Sequence, residues 1–100
     1  MADHAVMAAH LERLRDALDR TENVTVRLNA AVAVPFLDVA SHAFPGVRER
    51  IKCRLEGDSG WLFVWGWGPV IGDVDNIKGA VIAVRTALRP LCGAPGDGRR

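Results

Sequence analysis

The side chains best equipped for chemistry lie between positions 48 and 67. Arg48, Arg50, Lys52 and Arg54 take every second position, with Ile51, Cys53 and Leu55 between them. After Gly57-Asp58-Ser59-Gly60, Trp61, Phe63, Trp65 and Trp67 again take every second position, with Leu62, Val64 and Gly66 between. Cations so spaced can hold carboxylates or phosphates, and aromatics can stack on a ligand or anchor an apolar interface. Asp38 and His42 could approach each other in a turn, and Cys53 could in principle join them as a nucleophile. It alternates with aliphatic residues, however, and a thiol in that register reads as buried and inert. His4 and His10 are six apart, not the four that bring two helical side chains to one metal. Gly72-Asp73-Val74-Asp75-Asn76 supplies acidic oxygens but lacks the glycine and terminal glutamate of a calcium loop. Gly66, Gly68 and Gly72 are not followed by the Lys-Ser/Thr of a phosphate loop. No catalytic residue, metal or cofactor is expected, and no small-molecule ligand is identified. Binding is the class of function left for the cationic and aromatic stripes.

A period of two sends alternate side chains to opposite faces of a strand, so residues 48–67 read as a β-hairpin. Its loop decides which stripes share a face. With Gly57 to Gly60 as a four-residue loop, Arg54 pairs with Phe63, Lys52 with Trp65 and Arg50 with Trp67. Cations and aromatics then form one surface able to stack bases and contact phosphates, or to bury aromatics against a protein. With Asp58-Ser59-Gly60 as a three-residue loop and Gly60 left-handed, the parity shifts by one. The aromatics then join Ile51, Cys53 and Leu55 in the core, and the outer face becomes the cations with Leu62 and Val64. The large area that aromatics bury favours the second register. A charged stripe on a solvated strand also has a plain role, discouraging aggregation.

The elements that must carry this hairpin are short. One hundred residues make one domain, whose limited core stands to gain from self-association. A net charge of +1 excludes a general attraction to nucleic acid or anionic membrane, leaving only local patches. No apolar run approaches the roughly 18 residues needed to cross a bilayer, and Met-Ala-Asp-His does not open like a signal peptide. Two unrelated cysteines, Cys53 and Cys92, give no disulfide framework, which points to a cytoplasmic location.

Met7, Leu11, Leu14 and Leu18 predict an amphipathic helix from Asp3 to about Arg20. Val24, Val26 and Leu28 alternate with polar residues as a strand, and Phe36 to Ala40 forms another behind Pro35. A turn over Ser41 to Gly46 leads into the hairpin, which Gly68-Pro69 is expected to stop. Asp73 or Asp75 can cap a last helix whose buried stripe is Ile77, Val81, Val84 and Leu88. Arg85 and Arg89 suit its C-terminal end, and Pro90 ends it. Ile82 projects among Lys78, Arg85 and Arg89, either exposed by chance or part of an interface. The expected architecture is α+β: an N-terminal helix, a four-stranded antiparallel meander and a C-terminal helix (α-β-β-β-β-α), with the helices mainly on one sheet face. Residues 1–90 form the domain, and 91–100, rich in Gly and Pro, a disordered tail.

Ile51-Lys52-Cys53, then Trp65-Gly66-Trp67-Gly68-Pro69 with Ile71, then an acidic-capped helix with Ala80 and Ile82, resembles a set of short uncharacterised actinobacterial proteins. The resemblance covers about residues 5 to 90 and implies a compact cytoplasmic accessory protein, with no catalytic residues to carry over. The helix–strand–strand–strand–helix order also resembles the double-stranded-RNA-binding domain. Here Lys78 stands alone in place of a lysine cluster, and the strand at Val24 is extra. The function expected is therefore a non-enzymatic interaction module, a homodimeric adaptor or regulatory accessory protein that contacts itself or another protein. Its candidate interface is Arg48, Arg50, Lys52, Arg54, Trp61, Trp65, Trp67 and Ile82. The alternative is a nucleic-acid-binding sheet using the same cations and tryptophans.

Overall fold

Leucines three and four residues apart align on one face of a 3.6-residue helix. In the computed structural model, Leu11, Leu14 and Leu18 are fully buried along α1 (Ala2–Asp19). The structure describes residues 2–21, 24–42, 46–58 and 60–88. Five strands follow α1: β1 (Val24–Asn29), β2 (Phe36–Ser41), β3 (Arg48–Glu56), β4 (Gly60–Trp65) and β5 (Val70–Asp73). They form an antiparallel meander in the order β1-β2-β3-β4-β5, and α2 (Ile77–Ala87) closes the fold. The chain is α+β, as its periodicities imply, but has five strands where four were expected.

The fifth strand escapes a reading by alternation for two reasons. It has four residues, and its pairing is broken by a bulge: Phe63 faces Gly72 while Val64 faces Val70, leaving Ile71 extra. Gly68-Pro69 turns the chain rather than ending the sheet. The Gly68 N–H donates to the Trp65 carbonyl and the Trp65 N–H to the Pro69 carbonyl, both at 2.9 Å. As a result β4 ends at Trp65, and Trp67 lies in the turn.

One face of the sheet supplies Val24, Leu37, Val39, Ile51, Cys53 and Phe63 to the core, where they meet the leucines of α1, Ala80 and Val84 of α2, and Leu88 at the C-cap of α2. Phe63 is among the fully buried side chains, and burying a ring of that size contributes about 1.5–3 kcal/mol. The stripe of α2 is turned slightly from the expected one: Ala80 is buried, while Ile77 and Val81 only partly cover the core. The helix is capped by Asn76, whose Oδ1 accepts from the Gly79 N–H at 3.1 Å. Asp73 instead accepts from the Asp75 N–H at 2.8 Å, shaping the approach to the cap.

Polar contacts fix α1 over the sheet. His4 Nε2 lies 3.0 Å from the carbonyl oxygens of both Ala30 and Val32, which ties the β1–β2 connection to the helix. Arg13 donates to the Val74 carbonyl at 3.2 Å, joining α1 to the approach to α2. Arg89, Pro90, Cys92 and the expected tail at 91–100 lie outside the described residues.

Candidate functional site

The hairpin register is set at its tip. Glu56 faces Gly60, Leu55 faces Trp61, Cys53 faces Phe63 and Ile51 faces Trp65. Gly60 has φ +77°, the left-handed conformation that only glycine adopts without cost. The parity is that of the shorter loop, but the pairing lies two residues away from the expected one: Gly60, expected in the loop, is the first residue of β4 and faces Glu56. Trp61, Phe63 and Trp65 join the aliphatic residues on the helix-covered face, where Trp61 and Trp65 are half-buried against the core. The Trp61 ring lies 6.1 Å from that of His10 on α1. Burial and the neighbouring Arg13 hold the His10 pKa below 6.5, with Asp75 opposing them.

The cations take the other face. Arg50 pairs with Asp38, Lys52 with Val64 and Arg54 with Leu62, so all project away from the helices. Two apolar residues of this face, Phe36 and Val64, are 8% and 5% exposed yet stand outside the main core. The Arg50 guanidinium covers Phe36, with its central carbon 4.3 Å from the ring centroid. Its Nε lies 3.4 Å from Asp38 Oδ1, and its carbonyl accepts from the Gly66 N–H at 2.7 Å. Strand and turn approach so closely here that a Cβ on Gly66 would sit 3.1 Å from the Arg50 Cβ. Arg50 is thus anchored on several sides.

The flanking cations differ from it. Arg54 is tied to Glu56 at 2.6 Å and donates to the Gly68 carbonyl at 3.3 Å. Arg48 and Lys52 form no ion pair among the described residues. They stand four positions apart on one strand face, about 13 Å at strand rise. Between them opens a groove of about 600 Å³, lined by Arg48, Arg50, Lys52, Gly66 and Trp67 together with two carboxylates, Asp38 and Glu49, of which Asp38 is bound to Arg50. Trp67 is 70% exposed. A smaller hollow of about 110 Å³, lined by Thr25, Arg27, Asp38 and Arg48, extends it toward β1. On this face Arg27, Arg48, Arg50, Lys52 and Arg54 outnumber Asp38, Glu56 and Asp73.

The structure therefore divides the sequence-derived candidates. Arg48, Arg50, Lys52, Arg54 and Trp67 come together on the open face and the turn at its end. Trp61 and Trp65 lie on the opposite face, and Ile82, 63% exposed, is on α2 in the helix layer. Arg27 and Phe36 were not singled out from the sequence. The alternation of Val24, Val26 and Leu28 already placed Arg27 opposite the core, whereas nothing local marks Phe36 as the platform beneath Arg50.

The catalytic constellation is not assembled. Cys53 lies on the helix side, its Sγ 3.8 Å from the Met7 carbonyl oxygen, and burial pushes its thiol up to about 12. Asp38 is across the sheet from it, bound to Arg50. Among the described residues, no three His, Cys, Asp or Glu side chains gather as metal ligands, and no helix is long and apolar enough to cross a membrane. No known family model matches the chain, and no curated protein or solved structure is significantly similar to it.

Proposed function

We propose that the chain is a non-enzymatic interaction module, an adaptor whose open sheet face receives an acidic segment of a partner protein. The observation that carries this reading is the pair of cations, Arg48 and Lys52, that form no ion pair among the described residues and flank an anchored Arg50 in a groove that ends at exposed Trp67. Free cations supply electrostatic complementarity and orientation, and a rigid exposed aromatic supplies an anchor. Exposed Val70, opposite Val64 on the same face, extends the apolar part of the surface. A nucleic-acid ligand is served less well. Its bases need a row of aromatics beside the cations, and here Trp61 and Trp65 face the helices. A cytoplasmic setting agrees with the free, buried Cys53.

The test is fluorescence anisotropy with three labelled probes: an acidic peptide containing leucine and tryptophan, its Lys-for-Glu counterpart, and a single-stranded oligonucleotide. The acidic peptide should bind, weaken with salt, and be lost in the double variant Arg48→Glu/Lys52→Glu, with folding retained by circular dichroism. Tighter binding of the oligonucleotide would replace this reading with the nucleic-acid one. Equal binding of both peptides would remove the role of charge.

A further inference from the structure

The sheet has two edges, and they are built differently. Edge strand β5 has four residues, follows Pro69 and is bulged at Ile71, features that blunt an edge against pairing. Edge strand β1 has six residues, all in register with β2, with no proline, glycine or bulge and with Arg27 as its single charge.

The direction of the free backbone groups on β1 follows from bonds elsewhere in the sheet. The Arg50 carbonyl accepts from Gly66, so Arg50 turns its backbone toward β4, and alternation turns Glu49 and Ile51 toward β2. The Ser41 N–H donating to the Val47 carbonyl at 3.1 Å agrees with this phase. Leu37 and Val39 therefore bond β3, while Asp38 and Ala40 bond their β1 partners Arg27 and Thr25. That leaves the backbone N–H and C=O groups of Val24, Val26 and Leu28 pointing off the sheet. The side chains of these residues lie on the helix side, and those of Val26 and Leu28 are only partly buried.

We propose that a second copy of the chain pairs antiparallel with β1, with Val26 opposite the partner's Val26 on a two-fold axis. Registers that oppose residues of unlike parity would turn one copy's helices to the other's open face, splitting the apolar layer. Among the rest, centring on Arg27 sets that cation against the partner's Arg27, a destabilising like-charge pair. Centring on Val26 sets Val24 opposite the partner's Leu28 and Thr25 opposite the partner's Arg27. Every outward backbone group of Val24, Val26 and Leu28 then finds a partner, and the apolar row continues across the axis. The product is a ten-stranded sheet, all helices on one side and both cationic faces on the other. This assembly rests on the edge of β1 alone, not on the adaptor reading.

The experiment is sedimentation velocity on the intact chain, from low micromolar to submillimolar concentration, with three variants. Thr25 and Arg27 are both exposed on the open face, so substitution at Thr25 leaves the core untouched. Thr25→Arg faces the partner's Arg27 twice per dimer and should raise the dimer Kd about two- to thirty-fold; Thr25→Glu should lower it over the same range. Val26→Pro deletes an N–H that points off the sheet rather than into the β1–β2 ladder and should give a folded monomer. A wild-type chain that stays monomeric throughout would overturn the proposal. So would a dimer indifferent to both Thr25 substitutions, which would place the interface elsewhere. Binding of the acidic peptide is measured separately, so a monomer that still binds it would sink the dimer and leave the adaptor standing.

Discussion

Replacing Gly60 by alanine tests whether the tip of the hairpin holds the register that separates aromatics from cations. Gly60 has φ +77°, and a Cβ built on it meets nothing within 4 Å. The cost of the substitution is therefore backbone strain without a clash, about 1–2 kcal/mol for an L-residue held left-handed. Gly57, three residues earlier, is the control. Its Cβ also meets nothing, and its φ is not positive. Gly57→Ala should be neutral or stabilise by about 0.4–1 kcal/mol, because it restricts the unfolded chain. Each kcal/mol corresponds to a Tm shift of about 4–8 °C in a domain of this size. Urea and thermal unfolding followed by far-ultraviolet circular dichroism should show Gly60→Ala below wild type and Gly57→Ala at or above it. Equal stability of the two variants would refute the claim that a left-handed residue at position 60 pins the hairpin.

The cations of the open face should separate by role. Arg50→Ala removes a ring contact worth about 0.5–1 kcal/mol and an exposed ion pair worth about 0.2–1 kcal/mol, whereas Lys52→Ala should stay within about 0.5 kcal/mol of wild type; urea midpoints decide. In a Cys92→Ser variant, Cys53, whose thiol pKa is pushed up to about 12 by burial, should resist Ellman's reagent at pH 8 until urea opens the fold, and prompt labelling of that variant in its native state would show that α1 does not seal it. His10 gives a pH dependence of definite sign. Its folded pKa lies below 6.5, so the unfolded chain binds the proton more readily and stability falls as pH drops from about 6.5 toward the folded pKa. His10→Gln should flatten that slope just below about pH 6.5, above the carboxylate range.

The helices and four of the strands were legible because each carries an unbroken period. Leu11, Leu14 and Leu18 mark α1, and the alternations after Val24 and Arg48 mark β1 and β3. The fifth strand was not, because Ile71 is the bulge residue and a single insertion erases a four-residue alternation. The cap fell on Asn76 rather than Asp73 or Asp75, all of which offer an acceptor within one turn; only the three-dimensional path of the connection selects among them. The candidate site was half legible. The cationic stripe is a property of β3 alone and could be read from it. Whether the tryptophans share its face depends on the register at the hairpin tip, and sequence spacing allowed both parities.

That dependence explains why Trp67 ends up apart from the other two tryptophans. Trp61 and Trp65 keep the parity set by Gly60 and turn toward the helices, so α1 can rest on them and on Phe63. Trp67 lies past the point where Gly66 is pressed against Arg50, in the turn that leads to the bulged strand. It escapes the alternation of β4 and emerges beside the cations instead. The contact that frees it also fixes Arg50, since the bond from Gly66 and the ring of Phe36 hold that residue from two directions. Arg50 thereby serves as the floor between Arg48 and Lys52 rather than as a third mobile cation. A ligand with one carboxylate would engage either flanking cation weakly through solvent. On the proposed reading, one with acidic groups spaced along an extended segment reaches both while laying an apolar side chain on Trp67, and this spacing is the argument for a peptide over a small anion.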